Sequence, residues 1–379
     1  MDYFFKIIVS SLTISFLGSL AFAAPTWNIR KIDRAASGNR MVQVTLAKNG
    51  DKHFVYTGCS DVRCAKSELY YTVLTNSDVV NKTAVDASGD DTGWFPSLTF
   101  DANSVAHIFY ADHEEQTLRY ATNKSSRWKP EDLGSGRGGW WTSSASANNK
   151  VYFAHTKLPS SGWDTASLEV GTLENDKWTF ETVDAVRNAG WFTSMALLPN
   201  GNPVVSYNTV FSQPSGAIKV AIKGETSWDI IDIDDISIKH HVTVDSDGHI
   251  HLVYQKAVSN KDNMVLKSTF DLMYATNADG SWKRFAIEQG GTEDVVETGS
   301  FPRITTDSKG GLHVVYTRNK DVLIYARKLT AQSSWEFFEV EPLGGSVYPW
   351  VEISSSGAVN IAYERGGNIF LATCKDCEK

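Results

Sequence analysis

Short stretches of alternating apolar and polar residues run along the chain, and none of them carries a helical period. Trp178–Val183, Trp282–Ile287 and Trp335–Val340 read as strands that open on a tryptophan. Such tryptophans recur as Trp128, Trp178, Trp228, Trp282 and Trp335, with gaps of 50, 50, 54 and 53 residues. A second marker is a strand ending in tyrosine, at Tyr56, Tyr110, Tyr207, Tyr254, Tyr316 and Tyr363; His155 takes that place in the third unit. Turns such as Asp245–Gly248 and Asp307–Gly310 precede these strands and read as hairpins. A further strand, such as Leu118–Ala121 or Leu272–Ala275, precedes the tryptophan. The pattern predicts an all-β, seven-bladed β-propeller with four antiparallel strands per blade.

The last unit supplies three strands, Val351–Ser354, Val359–Tyr363 and Ile369–Thr373, and then stops. Trp27–Ile32 has the form of the missing fourth strand, so the N-terminal segment is expected to complete the last blade and leave no open sheet edge. Before it, residues 1–23 predict a signal peptide: Lys6, an apolar run from Ile7 to Phe22, and the small-x-small ending Ala21-Phe22-Ala23. Residues 24–379 then form one domain, in a secreted or periplasmic protein expected to be monomeric and not inserted in a membrane.

Composition adds limits. Lys+Arg 36 against Asp+Glu 44 gives a net charge of -8, which argues against a nucleic-acid partner. Cys59, Cys64, Cys374 and Cys377 are an even set in an exported chain and read as disulfides, with local pairs preferred; a four-thiolate zinc site is the alternative. The acidic turn at Asp245–Gly248 lacks a downstream bidentate Glu and reads as a hairpin, so no metal is predicted. No nucleotide-binding glycine motif is present, and no cofactor is implied.

On these residues the repeat resembles the sialidase-like, BNR-type propellers of secreted bacterial proteins. Their Asp box, roughly Ser-x-Asp-x-Gly-x-Thr-Trp, has its nearest copy in Thr276-Asn277-Ala278-Asp279-Gly280-Ser281-Trp282, with a degenerate one in Lys124–Trp128. Sialidases carry an Arg triad and a Phe-Arg-Ile-Pro segment; this chain has Phe301-Pro302-Arg303-Ile304, far along. The resemblance therefore implies architecture rather than sialidase activity.

In a propeller, the loops before strand one and after strand two converge around the axis. That rule gathers Arg40, Trp94, Trp140, Trp141, Trp191, His240, His241, Arg303 and Trp350 at strand-one starts. It gathers His155, Tyr207, Asn208, Tyr254, Gln255, Lys256, Arg318 and Arg365 at strand-two ends, with longer loops carrying Trp163, Phe211, Lys261 and Lys267. Flat rings suit the apolar faces of sugars, and Arg forks grip carboxylate or sulfate. The expected partner is a glycan, most naturally an acidic polysaccharide. As a lyase, Arg303 would neutralise the uronate carboxylate, one of His240, His241 or His155 would take the proton, and Tyr207 or Tyr254 would protonate the leaving oxygen. Polysaccharide lyases on seven-bladed propellers, with His and Tyr chemistry, are similar in architecture. A non-catalytic lectin and a protein-interaction scaffold are the alternatives.

Overall fold

A computed structural model describes the chain except residues 1–24, 36–40, 60–66, 89–90, 161–164, 187, 210–215, 259–268, 293–294, 296, 331–332, 346 and 378–379. The described residues form seven four-stranded antiparallel sheets, each pairing its strands in simple succession. The exception is the last sheet. There Asn28–Arg34 pairs antiparallel with Asn368–Cys374, so the first described strand forms the outer edge of blade seven. Asn28 stands opposite Thr373 and Arg34 opposite Asn368, as the N-terminal Trp-led strand requires. The signal-peptide expectation falls on residues outside the described ones.

Alternation gives way to near-continuous burial in strand two of each blade, which lies between neighbours and is covered on both faces, as in Ala106–Asp112 and Val359–Arg365. The repeating tryptophans lie on outer strands yet turn inward. Trp128, Trp178, Trp228, Trp282 and Trp335 each join the apolar cluster between two blades, and Trp27 meets Tyr325 edge-on at 5.5 Å.

The strand-two tyrosines hold the ring together. Tyr110 donates to Asp86 (2.6 Å), Tyr207 to Asp184 (2.6 Å), Tyr254 to Asp234 (2.8 Å) and Tyr316 to Glu288 (2.9 Å); Tyr56 and Tyr363 bond likewise to Asp33 and Glu341. In every case the acid is the last or next-to-last residue of the outer strand of the preceding blade. A cation completes each joint, such as Arg119 with Asp86 (3.3 Å) and Lys82 with Asp33 (2.7 Å). Asp86 is only 3% exposed, so removing it leaves the buried Tyr110 phenol unpaired and half-buried Arg119 with Asp112 alone. Asp86→Ala is expected to cost about 3 kcal/mol by urea denaturation, against about 1 for Tyr110→Phe, which keeps the ion pair.

One seam differs. The outer strand of blade two ends in Gly134-Ser135-Gly136-Arg137 without an acid, and blade three carries His155 in place of tyrosine. His155 instead bonds within its own blade, Nε2 to Glu169 (3.0 Å), and its Nδ1 accepts from the Gly139 N–H (3.0 Å). Both halves of the joint are replaced together. Here the blades meet through rings, with Phe109 stacked on Phe153 at 4.4 Å.

Cys374 and Cys377 form a disulfide, and Cys59 is also disulfide-bonded, while Cys64 lies outside the described residues. Oxidised sulfurs at these positions exclude the four-thiolate zinc alternative.

Candidate functional site

The register between strands one and two sets which side chains meet on the axis. At the level nearest the strand-one starts, each blade contributes one residue: Met41, Phe95, Trp141, Phe192, Lys239, Phe301 and Tyr348. Phe95, Trp141, Phe192, Lys239 and Phe301 have φ between 47° and 57°, the left-handed region that bulky residues avoid. A β-bulge at each of these strand starts imposes it and swings the side chain across the axis. Glycine precedes the bulge where its sheet is tightest: a Cβ on Gly190, at φ +90°, would stand 2.8 Å from the Leu168 backbone. The result is a mouth closed by six apolar side chains and one ammonium.

Two residues further along lies a polar belt of Gln43, Ser97, Ser143, Ser194, His241, Arg303 and Trp350. Several belt members seal blade to blade: the Leu98 N–H donates to Gln43 (2.9 Å), Met195 to Ser143 (2.8 Å) and Val242 to Ser194 (3.1 Å). Beyond the belt the channel widens to a cavity of about 800 Å³ that opens on the opposite face, with Glu352, Thr45, Thr243 and Thr305 on its wall. Glu352 accepts from the Trp350 indole (3.1 Å), and burial lifts its carboxyl to about 7.

Most of the residues expected on the rim lie deeper and already have partners. Tyr207 and Tyr254 are fully buried joint tyrosines, and desolvation and their partner acids push both phenols far above the ordinary range. They do not reach the mouth, which removes them as proton donors to a ligand there. Lys256, Arg318 and Arg365 are joint cations, bound to Asp234 (2.6 Å), Glu288 (3.2 Å) and Glu341. The expected crown of free cations is thus consumed inside the ring. Asn208 donates to the Ser237 carbonyl (2.7 Å) and Gln255 to the Thr298 carbonyl (3.1 Å), both between blades. His155 is wholly buried beside Glu169.

The paired histidines diverge. His241 joins the belt, edge-on to Trp350 at 5.2 Å and bonded to the Ile304 backbone. His240 turns between blades four and five, where Nδ1 meets the Ser206 hydroxyl at 2.8 Å; burial and the Arg303 charge press its pKa down to about 3. A neutral imidazole at that depth is no proton acceptor for a bound chain. Arg303 lies under the mouth ring with its guanidinium over Trp350 (5.3 Å). Trp140, Trp141 and Trp191 are buried, while Trp94, Phe95 and Phe192 keep part of their surface open. Arg40 and the loop residues Trp163, Phe211, Lys261 and Lys267 lie outside the described residues.

Of two further groups on this face, His113 belongs with Asp112 to the strand-two ends that the same rule gathers, though without an assigned role, and Lys239 was not anticipated. His113, whose side chain is 40% exposed, stacks on Trp94 at 4.1 Å and meets Asp91 at 3.1 Å. Lys239 is the ring's ammonium, 4.1 Å over Phe301, and burial lowers it to about 8. Both have a signal in the sequence. His113 directly follows a strand-two end, and Lys239 occupies the bulge position that other blades give to aromatics. On the far face, Asp245 accepts from the Asp247 and His249 N–H groups, forming the expected hairpin; Asp245, Asp247 and His249 bring one ligand atom each within 4.8 Å of one another.

No family model matches the chain, and no curated protein matches it. Solved structures similar to it are β-propeller proteins that act on or bind glycans. An ulvan lyase of polysaccharide lyase family 25 superposes with a TM-score of 0.61 at 12% identity, covering 90% of this chain and 94% of its own. The polysaccharide lyase Uly1 gives 0.57 at 9%, covering 88% and 89%. The Aleuria aurantia lectin gives 0.52 at 11%, covering 81% and 96%. At such identities the likeness establishes the fold alone.

Proposed function

We propose that the protein is an exported carbohydrate-recognising propeller that acts on an acidic, uronate or sulfated polysaccharide as a lyase. One observation carries this reading: a single face gathers half-open aromatic rings, the Lys239 ammonium in their midst and the exposed His113–Asp91 pair beside Trp94. Rings of this kind support the apolar faces of sugars, and an ammonium in a half-dry setting attracts an anionic substituent. The seven strand starts differ from one another, which suits one elongated site better than repeated pockets. The structural likeness to an ulvan lyase, one of whose structures is bound to a repeat of GlcA and Rha3S, supports the same substrate class. The Asp-box resemblance of Thr276–Trp282 fits a sialidase-like ancestry for the architecture.

In β-elimination a base removes the C5 proton of a uronate, the C5–H electron pair forms the C4=C5 double bond, and the bond to the O4 leaving group breaks as that oxygen takes a proton from water at the open face. His113 replaces the buried histidines as the base, with Asp91 orienting the imidazole. Lys239 takes over from Arg303 in meeting the carboxylate.

Burial of Tyr207, Tyr254 and His240 favours a second reading, a lectin that binds the same glycans without chemistry. Incubation with a panel of uronate polysaccharides separates the two. A lyase raises the ultraviolet absorbance of unsaturated uronate, and His113→Ala is expected to lower that rate by about 100-fold or more while binding persists. Binding with a flat absorbance trace on every uronate establishes the lectin, and neither signal on any acidic glycan refutes both.

A further inference from the structure

Beneath the mouth ring the axis holds a small enclosed cavity of about 20 Å³, roughly the room of one water-sized particle. Arg303, His240 and Lys239 line it, and Trp141, Phe192 and Phe301 roof it. Arg303 is half-buried beneath the mouth ring. Among the described residues no carboxylate lies within ion-pair distance of Arg303 or Lys239, although nearly every other inward cation of the fold has one. The Trp350 face and the Pro302 carbonyl (3.2 Å from Nη1) compensate Arg303 in part. Its buried Nε–H has no partner. Neither has Nε2 of His240, a residue 2% exposed. Nδ1 of His240 lies 2.8 Å from the Ser206 hydroxyl, and in the tautomer that accepts there Nε2 presents a further N–H to the cavity.

Two cations and the partnerless Arg303 Nε–H around one water-sized hole, with His240 Nε2 beside them, form a site of a single sign. A half-buried guanidinium without a counterion and a buried N–H without an acceptor both destabilise the ring interior. A water molecule satisfies one donor and cancels no charge. Carboxylate and sulfate are too large for a hole of this size under an aromatic roof. We propose that a monatomic anion, a halide and in ordinary solution chloride, is bound on the propeller axis between Arg303, His240 and Lys239. The ion neutralises the interior of the ring where blades four, five and six meet. It is a structural ligand inside the ring, distinct from a glycan at the mouth although the Lys239 ammonium serves both.

The test uses the whole protein without glycan, so its outcome is independent of the proposed activity. Thermal melts in sodium chloride and in sodium gluconate at equal ionic strength are expected to differ by about 3 °C, saturating with chloride concentration. Crystals grown in bromide should show one anomalous peak within reach of Arg303 Nε. Arg303→Met should abolish both the peak and the chloride-dependent shift. Lys239→Met, which leaves the guanidinium in place, should weaken apparent halide affinity by about tenfold and decides the matter if the first variant does not fold. Identical melts in the two salts with only water on the axis overturn the proposal, as does a chloride shift undiminished in both variants.

Discussion

Removal of residues 25–35 is expected to abolish cooperative folding rather than to trim an edge. The segment supplies the outer strand of blade seven, the Asp33 half of the joint to blade one, and the ring of Trp27 against Tyr325. Ile32 and Ala35 are 8% and 3% exposed, so their loss opens cavities on both sides of the closure. The combined cost exceeds about 5 kcal/mol, comparable to the stability of an ordinary domain. Because the lost strand pairs antiparallel with a defined partner, a synthetic peptide of the same sequence should restore part of the melting transition when added back. A truncated protein that melts at the temperature of the intact one would refute strand closure.

The second large effect is a stabilisation. Glu352→Gln is expected to leave stability unchanged near pH 4 and to raise it by about 2 kcal/mol near pH 8. The sign follows from burial, which lifts the carboxyl from 4.5 in the unfolded chain to about 7 in the channel. Below the lower value both states hold the proton. As pH rises the unfolded chain ionises first, so stability falls until the folded carboxyl also ionises, and stays lowered above that. Glutamine cannot ionise, keeps an oxygen for the Trp350 indole, and escapes the penalty. The full shift corresponds to about 3 kcal/mol; water in the open channel screens part of it. Urea midpoints for both proteins across this range check the prediction, and equal midpoints at high pH would show Glu352 to be well solvated.

The architecture was legible in the sequence because its signals are local and repeated. The tryptophan spacing, the tyrosine-ended strands and the unmatched Trp27 strand each needed only counting, and all found their expected places. The site was less legible because partners on neighbouring blades are distant along the chain. Arg318 looks like a free rim cation until Glu288, 30 residues earlier, is seen to hold it. Acid-to-tyrosine spacing runs from 20 to 28 residues across the joints. Asp132 falls in that range before His155, yet it stands opposite Arg119, further up the strand, and forms no joint. Nor could counting foresee the bulges that fold Trp141 and Phe192 over the axis, since alternation alone assigns a residue to a face and not to a depth.

The exceptional seam between blades two and three gives the ring unequal hinges. Six contacts rely on a buried or half-buried carboxylate joint, whereas this one relies on Phe109 and Phe153, with the Lys124–Asp176 ion pair confined to its exposed edge. Strong acid should therefore dismantle the circle by loosening its six charged contacts and leave these two neighbouring blades clasped as a residual pair. The molecule's acid-denatured form would then be a defined fragment of the wheel, visible as a protease-resistant core spanning residues 94–184.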